Sequence, residues 1–458
     1  MSFKCSQPDF ALLSRYNVAG PRYTSYPTAP QFTEAFTGED LLCEIADTDG
    51  AARPLSLYFH LPFCASVCFY CGCNVTFTTD RSRSAAYLRT LYREMDLLRP
   101  RLSADRAVAQ LHWGGGTPTF FAPCELAELI AGIKERFRFA ADAELGVEVD
   151  PRVTTAAQLR VLGAAGFNRL SVGVQDFDAD VQRAVHRIQS VEQTRAVIAE
   201  ARGQGMRSVS VDLMYGLPRQ SRDSFARTLE QVLALTPDRL ALFNFAYLPA
   251  MIRRQQAIKA AELPPPAVKL AIFQLAVERL SAAGYEYVGM DHFARADDDL
   301  CRAQRAGQLC RNFQGYSTHA DCDLLAFGVS AIGSPGRVYA QNHKSLRQYA
   351  AAIDRGRLAT ARGWRLSDDD LLRREVIMRL MCDFALRPLA VGRKFNVDFA
   401  TYFAESLSAL RPLERDGLLT VSDEKITVTP TGRFLIRNIA MCFDAYLQGG
   451  TNRYSKTV

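Results

Sequence analysis

Four of the twelve cysteines in this 458-residue chain fall within one short stretch: Cys64, Cys68, Cys71 and Cys73, in the order C-x3-C-x2-C-x-C. Thiolates so close together on a loop converge on one metal centre, which is how iron–sulfur clusters and structural zinc are held. A zinc knuckle uses two C-x2-C pairs separated by a longer loop, and the chain has no second pair of that kind. Three thiolates on a four-iron cube leave one iron open to a small molecule, as a catalytic zinc keeps one position free. A zinc site built from all four cysteines is the alternative left by the spacing.

The loop follows Leu55-Ser56-Leu57-Tyr58-Phe59-His60, an apolar run that reads as a buried strand. Further strands are predicted at 108–113, 145–149, 169–174, 208–214 and 239–243. Between them lie helices carrying Leu88, Leu91, Met95 and Leu98, then Leu126, Ile130, Ile133 and Phe137, then Phe225, Leu229 and Val232, each set along one face. The strands read as apolar runs more than as alternations, as parallel strands covered by helices do. Six βα units predict an α/β fold with right-handed crossovers. They are too few for an eightfold barrel, so a partial (βα)6 TIM-like barrel is expected, with its site at the C-terminal strand ends. Unusual residues do follow the strands: the cysteine loop, Gly114-Gly115-Gly116-Thr117-Pro118, Glu148-Val149-Asp150-Pro151-Arg152, Gly173-Val174-Gln175, Asp212-Leu213-Met214-Tyr215-Gly216 and Asn244-Phe245-Ala246-Tyr247.

Three parts are expected: an N-terminal arm with a lead-in helix (1–52), the catalytic domain with an extension (53–365), and a small, mostly helical, winged-helix-like domain (366–458). Prolines keep the arm Gly20-Pro21-Arg22-Tyr23-Thr24-Ser25-Tyr26-Pro27 out of a helix, and its aromatics predict that it packs on the main domain. A sharper reading has it close over a ligand, with Arg22 meeting a carboxylate. The stretches 289–293 and 311–316 read as irregular. Ser367 is placed to cap a helix that opens on Asp368-Asp369-Asp370, and a hairpin is expected over 418–429. Nothing basic concentrates in that hairpin, which argues against DNA binding.

Hydrophobic residues at 48 % and charged residues at 23 % fit a globular protein, and a net charge of +6 does not call for nucleic acid. No stretch approaches the ~18 apolar residues of a membrane span, and Met1-Ser2-Phe3-Lys4-Cys5 leads into no signal sequence. Cys5, Cys43, Cys124, Cys301, Cys310, Cys322, Cys382 and Cys442 are scattered and read as ordinary core or surface residues in a reducing, cytoplasmic compartment.

C-x3-C-x2-C on the loop after a first strand resembles the signature of radical S-adenosylmethionine (SAM) enzymes. Tyr58-Phe59-His60-Leu61-Pro62-Phe63-Cys64, the added Gly72-Cys73, the arm and Arg311-Asn312-Phe313-Gln314-Gly315-Tyr316 look like the oxygen-independent coproporphyrinogen III oxidase family. The resemblance implies that Cys64, Cys68 and Cys71 ligate a [4Fe–4S] cluster, with Cys73 the non-ligating fourth. It places SAM against Gly115, Gly116 and Thr117, with Glu148 and Asp212 accepting from ribose hydroxyls or the methionyl amine and Arg187 on the carboxylate. Gln175, Ala246 and Ile332 follow by the same carry-over, and Tyr58, Tyr70, Gly115 and Ile332 also correspond to contacts with a second SAM. Tyr70 stands where the family has phenylalanine. His60 and Cys73 are implied at the reacting centre, while Arg22 and Arg311 are candidates for the carboxylates of coproporphyrinogen III. A monomer served by an external electron donor and acceptor is expected. A haem-binding homologue without oxidase activity and a zinc-stabilised interaction protein are the alternatives.

Overall fold

The apolar run that precedes the cysteine loop forms β1 (Leu55–Leu61), the second strand of a nine-stranded sheet. The computed structural model describes residues 10–51, 53–447 and 454–457; Cys5 lies outside them. Around β1 come β2 (Val108–Gly115), β3 (Phe139–Val149), β4 (Arg169–Gln175), β5 (Ser208–Tyr215), β6 (Arg239–Asn244), β7 (Tyr285–Gly289), β8 (His292–Arg295) and β9 (Asp323–Phe327). Their order across the sheet is β9-β1-β2-β3-β4-β5-β6-β8-β7. The pairings from β9 through β6 are all parallel, whereas β8 runs antiparallel to both β6 and β7. The six predicted strands are all present. They are flanked by a seventh parallel strand, β9, and by an antiparallel hairpin that covers the other edge.

The stretch 289–293 is therefore the turn and second strand of that hairpin, and 310–317 forms a further one, Cys310–Asn312 with Gly315–Ser317. Gly289 at φ 144° and Gly315 at φ 119° make these turns. Strands of three to five residues between glycines carry too little periodicity to be read in advance.

The strands also differ from their predicted character, because they alternate. Leu55, Leu57, Phe59 and Leu61 of β1 are buried in the hydrophobic core, as are Leu170, Val172 and Val174 of β4 and Val209, Val211 and Leu213 of β5. The intervening Ser56, Tyr58, Gln110, His112, Ser171, Ser210 and Asp212 line the interior of the barrel. With a period of two, one face packs under helices such as Ser82–Leu98 and Pro123–Arg136, and the other faces an open interior. The base of the interior is tied by ion pairs, Arg169 to Glu144 at 3.1 Å and Arg239 to Asp298 at 2.9 Å.

The arm is packed, and Tyr23 and Tyr26 are fully buried. Tyr23 donates to Asp444 at 2.9 Å, and the guanidinium of Arg437 holds the carbonyls of Gly20 and Pro21. Arg437 lies in the helix Ile436–Met441, so the C-terminal part of the chain fixes the arm that carries Arg22. In that part, Ser367 caps the helix Asp368–Asp383 as expected, accepting from the Asp370 N–H at 3.1 Å. The hairpin Leu419–Val421 with Ile426–Val428 gains a third strand, Ala385–Leu386. No helix among the described residues is long and apolar enough to cross a membrane.

Candidate active site

The cysteine loop lies over the C-terminal ends of the parallel strands. Cys64, Cys68, Cys71 and Cys73 line one cavity of about 170 Å³ together with Tyr70, Gly115, Gly116, Thr117, Glu148, Asp150, Arg152, Gln175, Arg187 and Asp212. Side chains from β1 to β5 thus meet at one place, although their positions in sequence are far apart.

Cys68 is the most deeply set thiol of the four. Arg152 Nη2 reaches its sulfur at 3.3 Å and Arg187 Nη1 at 3.5 Å. Both guanidiniums share Asp150, at 2.6 and 3.2 Å. Burial alone would raise the Asp150 carboxyl, but the charges of Arg187 and Arg152 outweigh it and hold it below the usual range. Cys64 accepts or donates toward Thr117 Oγ1 at 3.5 Å. The Cys73 thiol donates to Cys71, which lowers Cys71 and raises Cys73. Behind the loop, Arg254 holds the carbonyls of Cys71 and Cys73, and Gln255 bridges the carbonyls of Tyr70 and Ala246 at 3.3 and 3.1 Å.

This donor set fits an iron–sulfur cluster better than zinc. Among the described residues, no three Cys, His, Asp or Glu side chains converge closely enough for a single metal ion. A tetrahedral zinc needs such convergence, with every sulfur about 2.3 Å from one centre. A four-iron cube takes its ligands on separate corners, and the two guanidiniums beside Cys68 would balance its negative charge.

The glycine segment is packed closely against the protein's own side chains. A Cβ at Gly114 would stand 2.8 Å from Glu148 Oε1, and one at Gly115, whose φ is 108°, would stand 2.6 Å from His60 Cε1. Glu148 accepts from His112 Nε2 at 3.1 Å and from the Gly115 N–H at 3.3 Å. Burial opposes its charge, yet those hydrogen bonds and the nearby histidines keep its carboxyl low. Among the described residues, Asp212 has the Ser171 hydroxyl as its hydrogen-bond partner, 3.2 Å away. Burial first, and then the Glu148 charge, raise it to about 7. Gln175, at φ 69°, has a buried Oε1 without a partner among the described residues, and so does Arg187 Nε. These groups are poised to meet a polar molecule between them.

The linkage for Asp212 has a definite sign. Its folded pKa lies above the unfolded value, so the native state binds more protons between roughly pH 4 and 7 and loses stability as pH rises through that window. Asp212→Asn is accordingly expected to make the protein more stable at pH 8, by a few kcal/mol at most. Urea unfolding of both proteins at pH 5 and pH 8 checks this.

Not every expected contact is at this cavity. His60 is buried behind Gly115, with Nε2 2.8 Å from the Asn74 carbonyl and Nδ1 3.1 Å from the Tyr58 hydroxyl. A carbonyl only accepts, so Nε2 carries the proton and Nδ1 accepts from Tyr58; burial keeps the ring neutral. Tyr58 stacks on His112 and lines the barrel interior below. Ala246 lines a different cavity, and Ile332 sits on the short strand Ile332–Gly333, packed near Phe32 and Tyr339. Arg22 is ion-paired with Asp291, whose position in sequence gave no hint of it. Arg311 lies over the Tyr316 ring at 4.8 Å, and its Nε and Nη1 have no partner among the described residues. Sequence reasoning missed Arg152, His112 and Arg254. The first two are visible as polar residues at alternate strand positions or just past a strand end; Arg254 has no such signal.

The chain matches the family model of the radical SAM superfamily over residues 58–232 and that of the HemN C-terminal domain over 366–435. It is 47 % identical to an oxygen-independent coproporphyrinogen III oxidase of Pseudomonas aeruginosa, over 98 % of each chain. To the protein of that name from Escherichia coli it is 49 % identical, over 96 % of each. The solved structure titled coproporphyrinogen III oxidase (HemN) from Escherichia coli, a radical SAM enzyme, superposes with a TM-score of 0.92 at 48 % identity, covering 96 % of this chain and all of that one. Identity at that level along nearly the whole length, on the same fold, places this chain in the oxygen-independent coproporphyrinogen III oxidase family of radical SAM enzymes.

Proposed function

We infer that the chain converts coproporphyrinogen III to protoporphyrinogen IX without oxygen, in haem biosynthesis. The observation that carries this reading is the cavity in which four cysteine thiols, two guanidiniums and the Glu148 and Asp212 carboxylates meet at the strand ends. A [4Fe–4S] cluster held by Cys64, Cys68 and Cys71, together with SAM, would supply the one-electron chemistry that removes one hydrogen atom from the β-carbon of a propionate. Each of the two reacting propionates then loses carbon dioxide, keeps a vinyl group and passes one electron to an external acceptor, so that two SAM molecules are consumed per product.

Cys64, Cys68 and Cys71 hold the cluster, with Arg152 and Arg187 offsetting its charge. Gly115, Gly116 and Thr117 receive the methionyl end of SAM, and Gln175, Glu148 and Asp212 accept from its amine and ribose hydroxyls. Tyr70 completes the contacts at this cavity, while Tyr58 lines the barrel interior below it and Ala246 and Ile332 lie outside it. His60, with its proton on Nε2, packs against Gly115 and accepts from the Tyr58 hydroxyl at Nδ1. Cys73 acts through its hydrogen bond to Cys71. Arg22 and Arg311 face the substrate carboxylates. The arm 1–52, the catalytic domain 53–365 and the C-terminal domain 366–458 form one working unit, a cytoplasmic monomer fed by an external electron donor.

The test is anaerobic: reconstitute the cluster, add SAM, a one-electron reductant and coproporphyrinogen III, and assay protoporphyrinogen IX and 5′-deoxyadenosine. Both are expected; SAM cleavage without decarboxylated product would refute the reading. In the same assay Arg22→Ala should raise the KM for the porphyrinogen roughly tenfold or more, as loss of a charge-assisted hydrogen bond does. An unchanged KM would make the arm purely structural.

A further inference from the structure

A cavity of about 700 Å³ opens beside the ends of β5 and β6, between the arm and the helix Pro266–Ala282. Its walls are mainly apolar and aromatic, with Phe245 and Phe273 among them. They carry three cations, Arg22, Lys269 and Lys456, and no Asp or Glu among the described residues that line it. Only Arg22 has a carboxylate partner, Asp291.

Lys269 stands out. It projects from the first turn of its helix over Gly216, where a Cβ would lie 2.5 Å from Lys269 Cε; Gly216, at φ 86°, keeps that approach open. Its ammonium donates to the Phe245 carbonyl at 3.2 Å. No acidic group contributes to its electrostatics, and burial, with Lys456 nearby, lowers its pKa to about 8. A half-buried ammonium without a counter-ion is costly unless an anion completes the site. In the same cavity the Asn244 Oδ1 is buried without a partner among the described residues, an acceptor suited to a pyrrole N–H. The cavity also borders the radical site, since Gln255 ties Ala246 on its wall to the Tyr70 carbonyl in the cysteine loop.

We propose that this cavity holds propionates of the porphyrinogen, and that Lys269 pairs with one of the two that the reaction consumes, which makes the enzyme specific for a tetracarboxylate porphyrinogen over a dicarboxylate one. The proposal rests on the substrate reading given above. An aromatic wall takes the macrocycle and the surplus cations take its carboxylates. Once two propionates have become vinyl groups, the product has fewer anions for those cations to hold.

The test compares anaerobic binding of chemically reduced coproporphyrinogen III and mesoporphyrinogen IX, four carboxylates against two, by wild type, Lys269→Met and Lys269→Arg. Wild type should favour the tetracarboxylate by roughly tenfold or more, Lys269→Met should lose most of that preference, and Lys269→Arg should keep it. Equal SAM binding by the three proteins verifies that each is folded. A wild-type preference that Lys269→Met retains would overturn the Lys269 assignment alone. A wild type with no preference at all would instead overturn the substrate reading on which it rests.

Discussion

Cys68→Ala is expected to leave the protein folded but unable to retain a cluster after anaerobic reconstitution, with SAM cleavage falling below about one-thousandth of wild type. The size of the effect follows from where the sulfur sits. Cys68 is buried, and Arg152 and Arg187 both point at its sulfur, so a cluster ligand at this position would have its charge balanced by two guanidiniums. Alanine removes the anion and leaves two guanidiniums facing the cluster position. Cys73→Ala makes the contrast. Cys73 is the exposed cysteine at the cavity edge and interacts with Cys71, so that variant should keep most of its iron and sulfide while losing turnover. Iron and sulfide per chain, measured for both variants, separate the two roles.

Asp150→Ala is expected to be the most destabilising single change near the site, by about 3–5 kcal/mol. Arg187 is 6 % exposed, and its Nη1 finds Asp150 as its carboxylate; Arg152 meets the same side chain from the other direction. Without Asp150 two buried cations face each other with only the Cys68 sulfur and the Gly173 carbonyl between them. Adding Arg187→Met to Asp150→Ala should therefore recover part of the loss, because one uncompensated charge goes with it. Denaturant unfolding of the two single variants and the double variant closes the cycle. A double variant as unstable as the sum of the singles would mean that Asp150 and Arg187 do not act as a pair.

Much of this arrangement is legible in the residues. The cysteine spacing, the glycines after Trp113 and the acidic residues at later strand ends all pointed to one end of a parallel sheet, and the fold brings them together there. What could not be read is pairing across distance. Nothing near Arg22 in sequence announces Asp291, and nothing near Cys71 announces Arg254. The barrel interior was hidden for another reason. Its inward positions include Ser56, Gly146, Ser171, Gly173 and Ser210, which are too small or too neutral to break the look of an apolar run. The period of two shows mainly at Gln110, His112, Glu144, Glu148, Arg169 and Asp212. The hairpins at 285–295 and 310–317 escaped because strands this short are set by their turns and by the edge they cover.

The most direct test of the account uses coproporphyrinogen III deuterated at the β-carbons of its propionates, turned over anaerobically by the reconstituted enzyme, with the 5′-deoxyadenosine analysed by mass spectrometry. The account predicts one deuterium in each 5′-deoxyadenosine and two such molecules for each protoporphyrinogen IX. Unlabelled 5′-deoxyadenosine, formed while the porphyrinogen keeps all its deuterium, would contradict it.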